Sequence, residues 1–379
     1  MKKLFYFGIL FLIVFEIANV YFIMPMPGSQ KMESLDVAYF LYSWRWFFRI
    51  LFILMILTGI KRAFSASKWL VSGAILIVLG IAFACNFIMA ADSMFKQPVS
   101  LKFSNSTENK VETDRLILGI SLNGESKAYP IQFLGYHHQV RDSIAGKPIM
   151  VTYCTVCRTG RVFEPLIEGK PEEFRLVGMD HFNAMFEDKS TGSWWRQVSG
   201  KAVTGPLKGK ALPEVPSIQT TLEKWIELYP NTLIMQADEK FREKYEGMSK
   251  YESGSSKSKL TLRDTGSWKD KSWVIGVESG SESKAYDWNH LQKEGIIHDE
   301  LGGKPVVILL SKDKKSFVAL ERQSNEQLFS INNDTLITPD NRYNFIGISL
   351  DSTKSNLERL NAYQEYWHSW QIFHPLTKK

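Results

Sequence analysis

The sequence predicts three N-terminal transmembrane α-helices followed by a β-rich α+β extracytoplasmic domain built from two pseudo-repeats. Three observations carry this reading. Apolar runs dominate residues 1–91; short alternating segments separated by turn residues follow; and one of those segments recurs at a constant spacing.

The apolar runs are residues 4–24, 37–60 and 69–91. Each is close to the ~20 residues that a helix needs to cross ~30 Å of hydrocarbon. A cleaved signal peptide is the rival reading of the first run, but that run is long for one and two more follow. Lys2 and Lys3 precede the first run, and Lys61, Arg62 and Lys68 separate the second from the third. Basic loops stay in the cytoplasm. The expected topology is therefore multi-pass in the cell (inner) membrane, with a cytoplasmic N-terminus and residues 92–379 outside. The lipid bilayer is the one partner implied.

Eight basic residues against Glu16, Glu33 and Asp36 give residues 1–91 a charge of +5, out of +6 for the whole chain. The remainder is nearly neutral, which excludes a nucleic-acid binder as the expected class. Arg45 and Arg49 lie four apart, on one helical face. Inside a span such residues suggest function; the structural alternative has Arg45 reaching the headgroups and Arg49 paired within the bundle. Cys85, alone in the third run, reads as a small apolar filler.

Residues 92–113 read as a polar linker, 114–239 as a first repeat, 240–272 as a second linker or long loop, and 273–379 as a second repeat. Residues 116–148 and 273–305 share eleven identities over 33 ungapped positions at an offset of 157. Composition alone would give about two, so the match reads as an internal repeat. It includes Ser126-Lys127-Ala128-Tyr129 against Ser283-Lys284-Ala285-Tyr286, and Asp142 against Asp299. Trp225-Ile226-Glu227-Leu228-Tyr229-Pro230 and Trp370-Gln371-Ile372-Phe373-His374-Pro375 close the two copies.

The chemistry is not repeated. Cys154, Cys157 and His137 meet Ser311, Lys314 and Glu294 in the second copy. Cys154-Thr155-Val156-Cys157 is the strongest candidate site. Such a pair outside the cytoplasm serves as a redox couple, as part of a metal site or as a structural disulfide. Arg158 would favour the thiolate. His137 and His181 are the candidate additional ligands, and two thiolates with imidazole suit zinc or copper. His138, adjacent to His137, would face the opposite side of a strand. Asp142, Asp188, Trp195 and Gln197 are further pocket candidates, and an enzyme centred on Asp142 or Asp188 stays open. Asp188 before Ser190-Thr191-Gly192 also reads as an Asx turn, and Trp195 as core.

The combination Tyr153-Cys154-x-x-Cys157, Asp188-x-x-Thr191-Gly192-Ser193-x-Trp195-x-Gln197-x-x-Gly200 and Gly205-Pro206-Leu207-x-Gly209-x-x-Leu212 resembles the domain of unknown function 3179 family. Ala128-Tyr129-Pro130, His137-x-x-x-x-Asp142 and Trp225-x-x-x-Tyr229-Pro230 fit the same pattern. Arg158 stands where family members often have Gly, and His138 where an acidic residue is common. The resemblance implies an envelope domain and no particular activity. Two functional expectations follow: a membrane-anchored protein that binds a soft metal or performs thiol redox chemistry at Cys154 and Cys157, or a non-enzymatic scaffold with a structural disulfide there.

Overall fold

A computed structural model describes residues 1–379, which form two compact units: residues 1–96 with 172–211, and residues 97–171 with 212–379. In the first unit, helices α1 (Lys2–Tyr21), α2 (Leu35–Ser43), α3 (Arg45–Ala66) and α4 (Lys68–Phe83) follow the apolar runs. Two of the resulting helices, Lys2–Tyr21 and Lys68–Ile88, are long and apolar enough to cross a membrane, rather than three. The second run is divided at Trp44, and its longer part, α3, carries Arg45, Arg49, Lys61 and Arg62. That charge load removes α3 from the set defined by apolar composition.

Phe5, Ile9 and Leu12 of α1 share a core with Ala63 of α3 and with Val71 and Val78 of α4. Arg49 donates from Nε to Glu16 Oε1 at 2.7 Å, and Asn86 Nδ2 donates to Glu16 Oε2 at 2.8 Å. Arg45 instead donates to the Tyr42 carbonyl at 2.6 Å. Cys85 is buried beside Val20 and Met24.

The same unit holds a four-stranded antiparallel sheet made by Phe174–Asp180, Asn183–Asp188, Trp194–Arg196 and Ala202–Thr204. Val177, Met185 and Trp194 pack on Ala38, with Ile23, Tyr39 and Tyr42 around them. The Met179 amide donates to the Ile23 carbonyl at 2.7 Å. Boundaries drawn along the chain place residues 172–211 inside the first repeat, whereas their apolar face is satisfied by the N-terminal helices.

The second unit contains the matched segments. Leu116–Leu122, Glu125–Pro130, helix Ile131–His137, Gln139–Ile144 and Lys147–Cys154 follow one another. Trp273–Ser279, Glu282–Asp287, helix Trp288–Glu294, Ile296–Leu301 and Lys304–Leu310 come in the same order. Registers agree as well: Gly119 pairs with Ala128 and Gly276 with Ala285, while Asp142 pairs with Ile149 and Asp299 with Val306.

Each segment then receives a further antiparallel strand followed by a helix. Ile218–Thr221 pairs with Leu116–Leu122, and Ala362–Tyr366 with Trp273–Ser279. The helices place Trp225 over Gly119 and Trp370 over Gly276, so closely that a Cβ at either glycine would lie 2.4 or 2.1 Å from the indole. Real Cβ contacts do not reach such distances, so both packings need glycine. The two indoles are anchored alike, each donating at 2.8 Å to a threonine seven residues on, Thr232 and Thr377 respectively.

The predicted linker 240–272 is partly helical, with Arg242–Glu246 and Ser249–Ser253. It buries Phe241, Tyr245 and Glu252: the Tyr245 hydroxyl meets His137, Glu252 accepts from the Leu116 amide, and Phe241 packs on the Tyr136 and His137 rings.

Candidate functional site

Lys147–Cys154 and Thr159–Phe163 form an antiparallel hairpin whose last paired position is Cys154 opposite Thr159. The four residues between them make the turn, which places Cys157 one step before Arg158 at φ +60°. Cys154 and Cys157 are not joined in a disulfide, and both are fully buried. Their sulfurs lie within hydrogen-bonding reach of one another. Burial and the neighbouring Cys154 hold the Cys157 thiol well above its ordinary range, while the Ser369 hydroxyl beside it acts in the opposite direction.

The wall around the turn comes from the end of the chain and from residues 270–272. The Tyr366 amide donates to the Cys157 carbonyl at 2.9 Å, which ties strand Ala362–Tyr366 to the turn. Glu365, completely buried, accepts from Arg161 at 2.7 Å. Lys271 donates from Nζ to the Val156 carbonyl at 3.2 Å and lies 3.5 Å from His368 Nε2. Burial lowers Lys271 to about 8, against the pull of the Cys157 and Cys154 sulfurs, which favour its charge.

His368 Nδ1 lies 3.0 Å from the Asp270 carbonyl. A carbonyl can only accept, so the proton sits on Nδ1 and Nε2 keeps its lone pair toward Lys271. Burial and the Lys271 charge lower His368 to about 3, leaving a neutral imidazole. The arrangement is two thiols, an amine able to take or give a proton near neutral pH, and a neutral base behind it.

Arg158 is part of the wall but faces elsewhere. It donates to the carbonyls of Tyr251 and, at 2.8 Å, Glu252, and to Gln364 Oε1 at 3.0 Å.

The other residues singled out from the sequence are engaged locally. His137 Nε2 lies 2.7 Å from the Tyr245 hydroxyl, in a nest of Tyr136, Phe241 and Tyr245 rings. His138 caps helix Ile131–His137 at φ +59°. Its Nδ1 meets the Tyr153 carbonyl at 2.8 Å, and burial lowers it to about 4. His181 belongs to the other unit and pairs there with Asp180 at 2.7 Å. No three His, Cys, Asp or Glu side chains converge with metal-site geometry, so Cys154, Cys157, His137 and His181 do not form one ligand set.

Asp142 pairs with Lys127 at 2.8 Å and accepts from the Tyr129 hydroxyl at 2.6 Å. Asp299 pairs with Lys284 at 2.7 Å in the second segment, so this contact belongs to the scaffold. Asp188 accepts from the Thr191 amide at 2.6 Å and from Trp195 Nε1 at 2.8 Å. Gln197 accepts from Asn183 at 3.0 Å. Asp188, Trp195 and Gln197 therefore brace the small sheet.

At the place of Cys154 in the second segment, Ser311 donates to Asp334 at 2.8 Å, and Asp334 pairs with Lys224 at 2.6 Å. The thiol turn thus has a polar counterpart without sulfur.

Residues 97–377 match the family model described as protein of unknown function, DUF3179. The chain belongs to this family. Curated proteins and solved structures give no match. Within the DUF3179 region, Lys271, Glu365, His368 and Ser369 are the neighbours of the cysteines that the sequence did not disclose. Their one sequence signal is position: they flank Trp273 and Trp370, the residues that mark the second segment and its closing helix.

Proposed function

We propose that this protein is a membrane-anchored thiol–disulfide redox protein in which Cys154 and Cys157 form the redox couple. The observation that carries the reading is the position of Lys271: its ammonium is held by the Val156 carbonyl beside both sulfurs. A charge there stabilises a thiolate, the species that attacks a disulfide. In the proposed step one thiolate attacks a small-molecule or protein disulfide and expels one thiolate. The second cysteine then displaces the other half, which leaves the Cys154–Cys157 disulfide and two released thiols. Lys271, as the neutral amine, takes the proton from the attacking cysteine, becomes the ammonium that stabilises the thiolate, and then returns a proton to a leaving sulfur. Both sulfurs are buried, so exchange requires the turn at 155–158 to open.

Oxidised glutathione tests the step. Wild-type protein should lose two hydrogens and keep no adduct, whereas Cys154→Ser and Cys157→Ser should together yield at least one stable mixed disulfide. Absence of both products would reject the reading.

A soft-metal role keeps one supporting feature, the neutral His368 imidazole oriented by its Nδ1–H contact to the Asp270 carbonyl. Orientation of that kind is common among metal-ligating histidines. Cys154, Cys157 and His368 do not stand in metal-site geometry, so zinc or copper(I) held by them would require the turn and Lys271 to give way. Metal analysis of the purified protein distinguishes this from the redox reading.

We further propose that the matched segments are a duplication in which one copy bears the thiols. For the anchor, we propose that α3 also lies in the bilayer. Phe47, Ile50, Leu54 and Leu57 are exposed along it, and Glu16 neutralises Arg49. Three crossings would put the N-terminus and residues 92–379 on opposite sides, and the basic residues Lys2, Lys3, Lys61, Arg62 and Lys68 would keep the N-terminal side in the cytoplasm. A reporter fused after residue 91 should be active only in an exported form; activity of a cytoplasm-restricted reporter there would reverse the topology.

A further inference from the structure

The second unit contains a cavity of about 570 Å³, bounded by Arg115, Arg158, Glu252, Arg263, Trp273 and Gln364. This lies within the ~300–1,000 Å³ typical of small-molecule sites. Two guanidiniums share one wall: the Arg158 and Arg263 carbons lie 3.6 and 3.8 Å from the Trp273 ring centre.

Like charges this close repel, and burial together with the Arg158 charge lowers Arg263 from its ordinary value. Neither guanidinium is paired with a carboxylate. Arg158, 1% exposed, donates only to neutral oxygens: the Tyr251 and Glu252 carbonyls and Gln364 Oε1. Its Nε, the Nε of Arg263 and the Nε2 of Gln364 are buried donors without acceptors. Orphaned donors of this kind cost about 1–3 kcal/mol each, more when charged.

The acidic groups nearby do not remove the demand. Burial raises Glu252 to about 7, so its negative charge is only partly developed near neutral pH. Asp114 is taken up by Lys315 at 3.3 Å, and Glu112 by Arg115 at 2.8 Å. The cavity therefore has uncompensated positive charge in its lining and the indoles of Trp273 and Trp288 as flat walls, with the orphaned donors set inside the wall.

We infer that this cavity is a binding site for a small organic anion. Its carboxylate or phosphate oxygens would meet the Arg263 guanidinium, with the buried Arg158 adding charge from within the wall, and its apolar body would lie against Trp288. Planar guanidinium forks suit both oxyanions. The site uses neither cysteine and stands apart from the redox proposal.

Calorimetric titration of the full-length protein in nonionic detergent tests it, with benzoate, phenyl phosphate, inorganic phosphate and neutral benzamide as probes. Benzoate or phenyl phosphate should bind and benzamide should not; the preferred anion distinguishes carboxylate from phosphate. Affinity should fall with added salt. Arg263→Gln should weaken binding at least tenfold while the melting temperature without ligand is maintained, and Arg263→Lys should restore part of it. Tighter binding of inorganic phosphate than of phenyl phosphate would overturn the organic part. Absence of anion binding at about 10 mM, or equal affinity in Arg263→Gln, would overturn the site.

Discussion

Lys271 reaches across the thiol turn and donates to the Val156 carbonyl at 3.2 Å, between the two cysteines in sequence. That contact gives the site its character. A buried cysteine pair in apolar surroundings would be inert, because burial disfavours both thiolates. A lysine held against the turn offsets part of this effect.

Replacing Lys271 with Met removes the charge and keeps the stem. The midpoint pH for reaction of the cysteines with a small methanethiosulfonate reagent should rise by about one unit, equivalent to ~1.4 kcal/mol. An unchanged midpoint would show that Lys271 is only a structural tie.

Glu252 should leave a mark on stability. Its folded-state value, about 7, lies above the ordinary carboxyl value of 4.5. The folded protein then holds more protons than the unfolded chain between those limits, so this group's contribution is complete below pH 4.5 and is lost as pH rises through 7. Glu252→Gln should gain stability relative to wild type across that window, by a few kcal/mol at most. Denaturant melts at pH 4.5 and 7.5 check it; equal differences at both values would contradict the assignment.

His368 works in the opposite sense. Lowered to about 3 in the fold, it stays neutral where an unfolded histidine protonates. The unfolded chain therefore binds more protons below about pH 6.5. His368→Asn should lessen the loss of stability between pH 6.5 and 4, as read from melting temperatures. His138, lowered to about 4, supplies a similar contribution that the variant retains.

The Asp142 pair should prove structural. Asp142→Asn weakens the contact with Lys127 and leaves Tyr129 with a poorer acceptor, which should cost on the order of 1–3 kcal/mol. Asp299→Asn should cost a similar amount. Thiol reactivity should be the same in both variants as in wild type; a selective loss in Asp142→Asn would restore Asp142 as a site residue.

Much of the fold was legible in the sequence because strand alternation and turns are local signals. The matched phrases at offset 157 carried the paired strands, and Asp142 with Asp299 marked a shared contact. The Cys-x-x-Cys turn was equally visible. What surrounds it was not: Glu365, His368 and Ser369 come from strand Ala362–Tyr366 and the helix after it, more than 200 residues away, and Lys271 from 115 residues beyond Val156. Such pairing follows from tertiary packing and leaves no spacing to read. His137 looked like a ligand because it precedes Cys154 closely, yet the aromatic rings of Tyr136, Phe241 and Tyr245 enclose it. The division of the second apolar run at Trp44 falls where Ser43 and Arg45 interrupt it, a dip that the aromatic residues on both sides obscured.

The most direct test of the redox account is the midpoint potential of the Cys154–Cys157 couple in the full-length protein. Equilibration with graded glutathione or dithiothreitol buffers, acid quenching and mass spectrometry of the 154–157 peptide would give it. The account predicts a reversible two-electron transition between about −120 and −270 mV, the range of known thiol oxidoreductases. A midpoint below about −300 mV would make the bridge a structural disulfide. Failure of the two sulfurs to join under oxidising conditions would contradict the redox account outright.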